Sequence, residues 1–235
     1  MSSTSQSFHI AIDGPVSAGK GTISRLVAQR LGFLYVDTGA MYRMTALLAL
    51  QNDASFNEEK TLIQLLKKSS MKMRNPNEEE KDGRLTTVFL EDEDVSWKIR
   101  TEEVSSGSSQ VAVLPKVREI LVEKQREIAQ GQNVIMEGRD ITYRVLPDAD
   151  LKIYLTGSDV VRAKRRMLQL QAKGENVSFD EVYEELAIRD QRDMSRETDP
   201  LKIVDDAWVI DTSDLSIEQV VDLIVAKVHV LQSTP

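Results

Sequence analysis

Residues Phe8 to Gly32 read FHIAIDGPVSAGKGTISRLVAQRLG. The apolar run Phe8 to Asp13 closes on Gly14 and Pro15, which predicts a buried strand ending in a turn. From Lys20 to Leu31, Ile23, Leu26, Val27, Ala28 and Leu31 recur near helical spacing, with Gly32 as the stop. Between strand and helix stand Gly14, Pro15, Val16, Ser17, Ala18, Gly19, Lys20, Gly21 and Thr22, a match to GxxxxGK. In that setting glycines let backbone N–H groups converge on phosphate oxygens, and the helix start adds positive potential. Lys20 has the reach for β and γ phosphates. The nine residues are therefore expected to cradle a nucleoside triphosphate. Here Gly21 follows the lysine where Ser or Thr is usual; Gly21 is expected to contribute backbone only, and Thr22, the next hydroxyl, is the candidate for the magnesium-facing role. The alternative, a glycine-rich turn without a ligand, leaves the lysine at this offset unexplained.

Outward from this unit the alternation continues. FLYVD (Phe33 to Asp37) predicts a second strand, and a helix follows through Met41, Leu47 and Leu48. Further strands are expected at NVIM (133–136), LKIYL (151–155) and AWVI (207–210). Helices are expected over Pro115 to Ala129, Ser158 to Ala172, Ser178 to Met194 and Ser216 to Leu231. Short apolar strands alternating with longer amphipathic helices predict an α/β fold, a five-stranded parallel sheet covered on both faces. Ser70 to Val95 breaks the rhythm with Met71 and Met73 alternating, a polar stretch and LTTVFLEDEDV, and reads as a small antiparallel insertion. Its acidic run NEEEKDG is read as a solvated loop.

Composition narrows the function classes. The 235 residues are 41% hydrophobic and 29% charged, ordinary for a folded globular chain and read as a single unit. With no cysteine and only His9 and His229, thiolate metal sites and cysteine nucleophiles are excluded, and the chain fits a reducing, cytoplasmic setting. The opening MSSTSQS lacks a basic and an apolar signal region and reads as a loose terminus; no run has membrane-spanning length. A net charge of -8 argues against a general nucleic-acid binder. The expected partners are small nucleotides, with no nucleic acid and no membrane, and the chain is expected to be a monomer.

Phosphoryl transfer needs cations around both donor and acceptor phosphates. Arg162, Arg165 and Arg166 lie at i, i+3 and i+4 on one expected helix, and Arg189, Asp193 and Arg196 share a face of another. Either set alone reads equally as a solvated face paired with neighbouring acids. Arg43 in DTGAMYR and Arg139 in MEGRD change the weighing, because each follows an expected strand, where open α/β sheets bind ligands. On residues alone Ser109 sits in the polar run SSGSSQ as a loop residue, Asp140 as a cap and Arg118 as a surface-helix arginine.

Along nearly its whole length the chain resembles the bacterial type of cytidylate kinase. The likeness runs through IAIDGPVSAGKGT, DTGAMYR, EDVSWKIRTEEV, SSQVAVLPKVRE, EGRDI, LPDADLKIYL, RAKRRMLQLQ, IRDQRDMSR and LSIEQVVDLI. The resemblance implies a P-loop kinase core, a lid over about 162–182, and an acceptor-binding region over about 38–114 enlarged by the insertion at about 70–95. It implies magnesium ATP on Gly14 to Thr22 and CMP, with dCMP, as acceptor; the alternatives are a P-loop kinase for another nucleoside monophosphate such as UMP or AMP, and a non-catalytic nucleotide-binding regulatory module. By the same resemblance Arg43, Arg139 and Arg196 hold the acceptor phosphate, with Thr38 also on the CMP. Arg189 and Asp193 meet the ribose, while Ser109, Arg118 and Asp140 read the cytosine edge. Lys20, Arg162 and Arg166 would stabilise the transferred group, with Arg165 unassigned. The chain departs from the family pattern at Glu137, commonly Asp, and at Thr142-Tyr143, commonly Gly-Thr.

Replacing Lys20 by Met is expected to abolish turnover while circular dichroism and melting stay native; near-normal turnover would refute the donor-loop assignment.

Overall fold

The computed structural model describes residues 7–80, 82–172 and 174–233. Residues 1–6, which hold most of MSSTSQS, Lys81 of NEEEKDG and Lys173 of the expected lid lie outside them. The strands form a five-stranded sheet in the order β2-β6-β1-β7-β8 and a separate three-stranded sheet β3-β4-β5. Their bounds are β1 His9–Asp13, β2 Leu34–Asp37, β3 Met71–Arg74, β4 Thr87–Leu90, β5 Glu93–Asp94, β6 Val134–Gly138, β7 Leu151–Thr156 and β8 Trp208–Asp211. All five expected core strands are present, and the awkward Ser70 to Val95 region forms the antiparallel sheet, with Met71 opposite Leu90 and Phe89 opposite Asp94.

Two compact units divide the chain. One holds residues 10–32 with the described residues of 137–233. In it β1 runs parallel to β7, Ile10 opposite Leu151 and Asp13 opposite Tyr154, and β7 runs parallel to β8. Ile10, Ala11, Ile12, Ile153 and Leu155 are buried, as strands covered on both faces must be. Its helices are α1 Lys20–Leu31, α6 Asp159–Gln171, α7 Phe179–Ser195 and α8 Ile217–Ser233. Helix α1 ends where Gly32 turns left-handed, as its sequence predicts. Helix α7 begins with a reciprocal Ser178–Glu181 capping box. The approach of Gly14 to β7 decides the course of the phosphate loop: a Cβ there would stand 2.0 Å from the Leu155 carbonyl oxygen, at φ +151°.

The other unit holds described residues 7–9 and those of 33–136, and carries α2 Thr38–Gln51, α3 Glu59–Lys68, α4 Glu102–Val111 and α5 Pro115–Ala129. Helix α4 contains the SSGSSQ run that reads as a loop. Thr101 caps it onto Val104 N–H. At Gly107 the Phe56 ring lies where a side chain would be, 2.5 Å from an ideal Cβ, so close packing compensates weak propensity. Among the described residues no helix is long and apolar enough to cross a membrane.

Gly14→Ala must move backbone of a central strand, and its expected cost is about 3 kcal/mol or more in denaturant unfolding. A change below about 0.5 kcal/mol, within the range of ordinary surface substitutions, would contradict the packing described.

Candidate active site

The phosphate loop joins β1 to α1. Gly19 at the head of α1 is left-handed, φ 93°, and Ser17 is left-handed at φ 59°. No side chain caps α1 and no acidic residue stands in its first turn, so its N-terminal N–H groups face no competing carboxylate of their own helix. Lys20 is buried, and its Nζ donates to the carbonyls of Gly14, at 2.7 Å, and Pro15, at 2.8 Å. Burial, with Arg139 nearby, lowers the ammonium to about 7 against the opposing pull of Glu137, Asp13 and Asp193.

Asp13, wholly buried at the end of β1, accepts from Ile141 N–H and Thr142 N–H at 2.9 Å each and from the Thr142 hydroxyl at 2.6 Å. Burial pushes this carboxyl up to about 6 although those bonds favour its charged form. The clamp fixes the chain directly after Arg139 and Asp140. Arg139 Nε donates to Asp193 at 2.6 Å. Burial disfavours charge on Asp193, yet Arg139, Arg189 and Arg196 outweigh it and hold the carboxyl below its ordinary range. Arg196 Nε donates to the Asp199 carbonyl at 2.7 Å and its Nη2 lies 3.9 Å from Asp140. The expected residues Lys20, Arg139, Asp140, Arg189, Asp193 and Arg196 are thus linked in one charged network. Thr142 and Tyr143, one of the two departures, belong to the same framework. Thr142 supplies the hydroxyl to Asp13, while the Tyr143 hydroxyl donates to the Pro200 carbonyl at 2.5 Å and Lys202 sits 4.0 Å over its ring.

The α6 arginines differ from one another. Arg162 is buried, donating to Gly157 and Val16 carbonyls and pairing with Asp159 and Asp190. Arg165 donates to both the hydroxyl and the carbonyl of Thr212, a structural anchor at the end of β8. Arg166 is half-buried and makes no hydrogen bond or ion pair among the described residues.

In the second unit Asp37 caps α2, accepting from Ala40 N–H at 3.1 Å. The same carboxylate meets Arg43 at 3.5 Å and Arg100 at 3.2 Å. Burial opposes its charge, and the two guanidiniums and Ala40 outweigh burial, holding the carboxyl below its usual range. Each arginine donates one N–H to Asp37. Thr38 is buried beside this carboxylate at the start of α2. Arg118 is buried, donates to the Ala112 carbonyl at 3.0 Å and lies over the Tyr42 ring, which removes it from the surface-helix reading. Ser109 is half-buried on α4. Arg100 and Asp13 are the residues sequence reasoning passed over. Arg100 stands in the family-like stretch EDVSWKIRTEEV, and Asp13 directly precedes the loop.

The family model for cytidylate kinase matches residues 10–230. The chain belongs to the cytidylate kinase family. It is 47% identical over 212 residues to the cytidylate kinase of Caldicellulosiruptor bescii, covering 90% of this chain and 91% of that one. To the cytidylate kinase of a Geobacillus species it is 46% identical over 220 residues, covering 94% and 96%. A solved structure of an uncharacterised protein from Eubacterium ventriosum, 10% identical, aligns with TM-score 0.52 over 96% of this chain and 99% of that one, a likeness of fold alone. The chain is accordingly a phosphotransferase.

Because Lys20 titrates near 7, a bound polyanion must raise its affinity for protons. At pH 8 nucleotide binding is expected to take up a fraction of a proton, and affinity is expected to weaken as pH rises from 7 upward. Calorimetric titration in buffers of different ionisation enthalpy reads this directly. Lys20→Arg, charged throughout, is expected to show no uptake; absence of uptake in the native enzyme would contradict the assignment.

Proposed function

We propose that this enzyme transfers the γ-phosphoryl group of ATP to CMP and dCMP, giving the diphosphate and ADP. The observation that carries the proposal is the Lys20 ammonium, buried against the Gly14 and Pro15 carbonyls at the head of α1. The names of relatives at 46–47% identity support CMP as the acceptor. An oxygen of the CMP phosphate forms a new bond to the γ phosphorus as the bond to the β–γ bridging oxygen breaks, the electron pair leaving on ADP. The attacking oxygen is already anionic, so positioning and charge neutralisation suffice without a strong base. Gly14 to Thr22 hold the donor.

Among the described residues no group of three or more His, Asp or Glu side chains is placed to hold a metal ion. The Thr22 hydroxyl, a hard oxygen donor, would hold magnesium arriving with ATP, where the ion would neutralise phosphate charge. Arg166 is the α6 residue we assign to the transferred group, because the donors of Arg162 are taken up by protein oxygens. Arg43, Arg139 and Arg196 are our ligands for the acceptor phosphate, with Arg100 added because it shares Asp37 with Arg43; Thr38 is assigned to the same nucleotide. Arg189 and Asp193 are assigned to the ribose, and Ser109, Arg118 and Asp140 to the base. The lack of cysteine suits a cytoplasmic enzyme, and we take it as a monomer.

Coupled ADP release with a panel of monophosphates at fixed magnesium ATP is expected to rank CMP and dCMP above UMP and AMP in kcat/KM. Arg100→Met is expected to raise the CMP KM about tenfold, the loss of one charge-assisted contact, with the ATP KM unchanged. Stimulation by no monophosphate would favour a binding module, and a higher kcat/KM for UMP would reassign the acceptor.

A further inference from the structure

Val16 is tied to the α6–α7 hairpin in three independent ways. Its side chain packs against the cluster of Ala163, Leu170, Val182 and Leu186. Its N–H donates to Asp190 Oδ1 at 3.3 Å, and its carbonyl accepts from Arg162 Nη1 at 2.9 Å. Asp190 and Arg162 are themselves an ion pair at 2.6 Å, with side chains 9% and 5% exposed. Removing two opposite charges from water is costly, and an apolar pair of similar volume would hold two helices together at least as well. What an apolar pair lacks is the ability to grip both backbone polar groups of one residue. That residue lies in the middle of the phosphate loop, two positions after Gly14.

We propose that Asp190 is a positioning residue for the donor loop: with Arg162 it sets the backbone of Val16, so that the α6–α7 hairpin determines how well the loop fits the donor triphosphate. The inference rests on the reading of Gly14 to Thr22 as the donor site. It gives Arg162 a task through Val16 in place of direct contact with the transferred phosphoryl group.

The test is steady-state kinetics with each substrate varied, accompanied by thermal melting. Asp190→Asn keeps an acceptor for Val16 N–H and removes the charge that holds Arg162. It is expected to raise the magnesium ATP KM about tenfold, with the CMP KM at saturating ATP changed less than twofold. Arg162→Lys, which keeps the charge and loses the fork, is expected to act the same way, and the double variant is expected to be no worse than the worse single. Val16→Ala removes the apolar anchor alone and is expected to raise the ATP KM severalfold. It keeps the idea testable should Asp190→Asn fold poorly. Folded variants with an ATP KM within twofold of native would overturn the proposal, as would strictly additive effects. Arg162→Lys lowering kcat at unchanged ATP KM would overturn it in favour of direct contact with the phosphoryl group. Failure of the donor-site reading is separately visible, since Lys20→Met would then retain turnover whatever Asp190→Asn does.

Discussion

A lysine ammonium withdrawn from water and laid across two peptide carbonyls is the arrangement on which the site depends. Burial alone would drive Lys20 neutral, and Arg139 pushes the same way; Asp13, Glu137 and Asp193 hold it near the point of titration. The loop around it runs so close to β7 that Gly14 leaves no room for a side chain. On the proposed donor reading, a phosphate chain brought here draws the Lys20 ammonium away from these two carbonyls to itself. The longer carboxylate at position 137, a departure from the family pattern, acts here by favouring the charged form of Lys20.

From that centre the buried polar groups form two sets of ties. Asp13 fastens the end of β1 to the chain after Arg139 and Asp140, and Tyr143 fastens that chain to Pro200, next to the Asp199 carbonyl that holds Arg196. Arg162 and Asp190 fasten Val16 to α6 and α7. The donor loop and the arginines assigned to the acceptor phosphate in this unit therefore hang on the same strand end. In the other unit one buried carboxylate, Asp37, is shared between the guanidiniums of Arg43 and Arg100.

Much of this was legible in the sequence, and the limits have physical reasons. Strands buried on both faces show as short apolar runs, and helices by an apolar stripe at their period: Lys20 to Leu31 and Pro115 to Ala129 are helical at the bounds expected, and the other core elements shift by a residue or two. Helix α4 escaped because its serines and glycine carry no period; a Thr101 cap and the Phe56 ring make it, and the ring comes from far along the chain. Arg100 was invisible as a site residue because its partner Asp37 lies 63 positions away. The spacing of Arg162, Arg165 and Arg166 was read as one cationic face. Structure separates them by partner: Val16 and Asp190 for the first, Thr212 for the second, and for Arg166 none among the described residues.

The most direct test is a crystal structure of the enzyme with ADP and magnesium. The account requires the β-phosphate to lie on the N–H groups of the loop, with Lys20 Nζ turned from the Gly14 and Pro15 carbonyls to a phosphate oxygen. A nucleotide bound elsewhere, with Lys20 still on those two carbonyls, would contradict it.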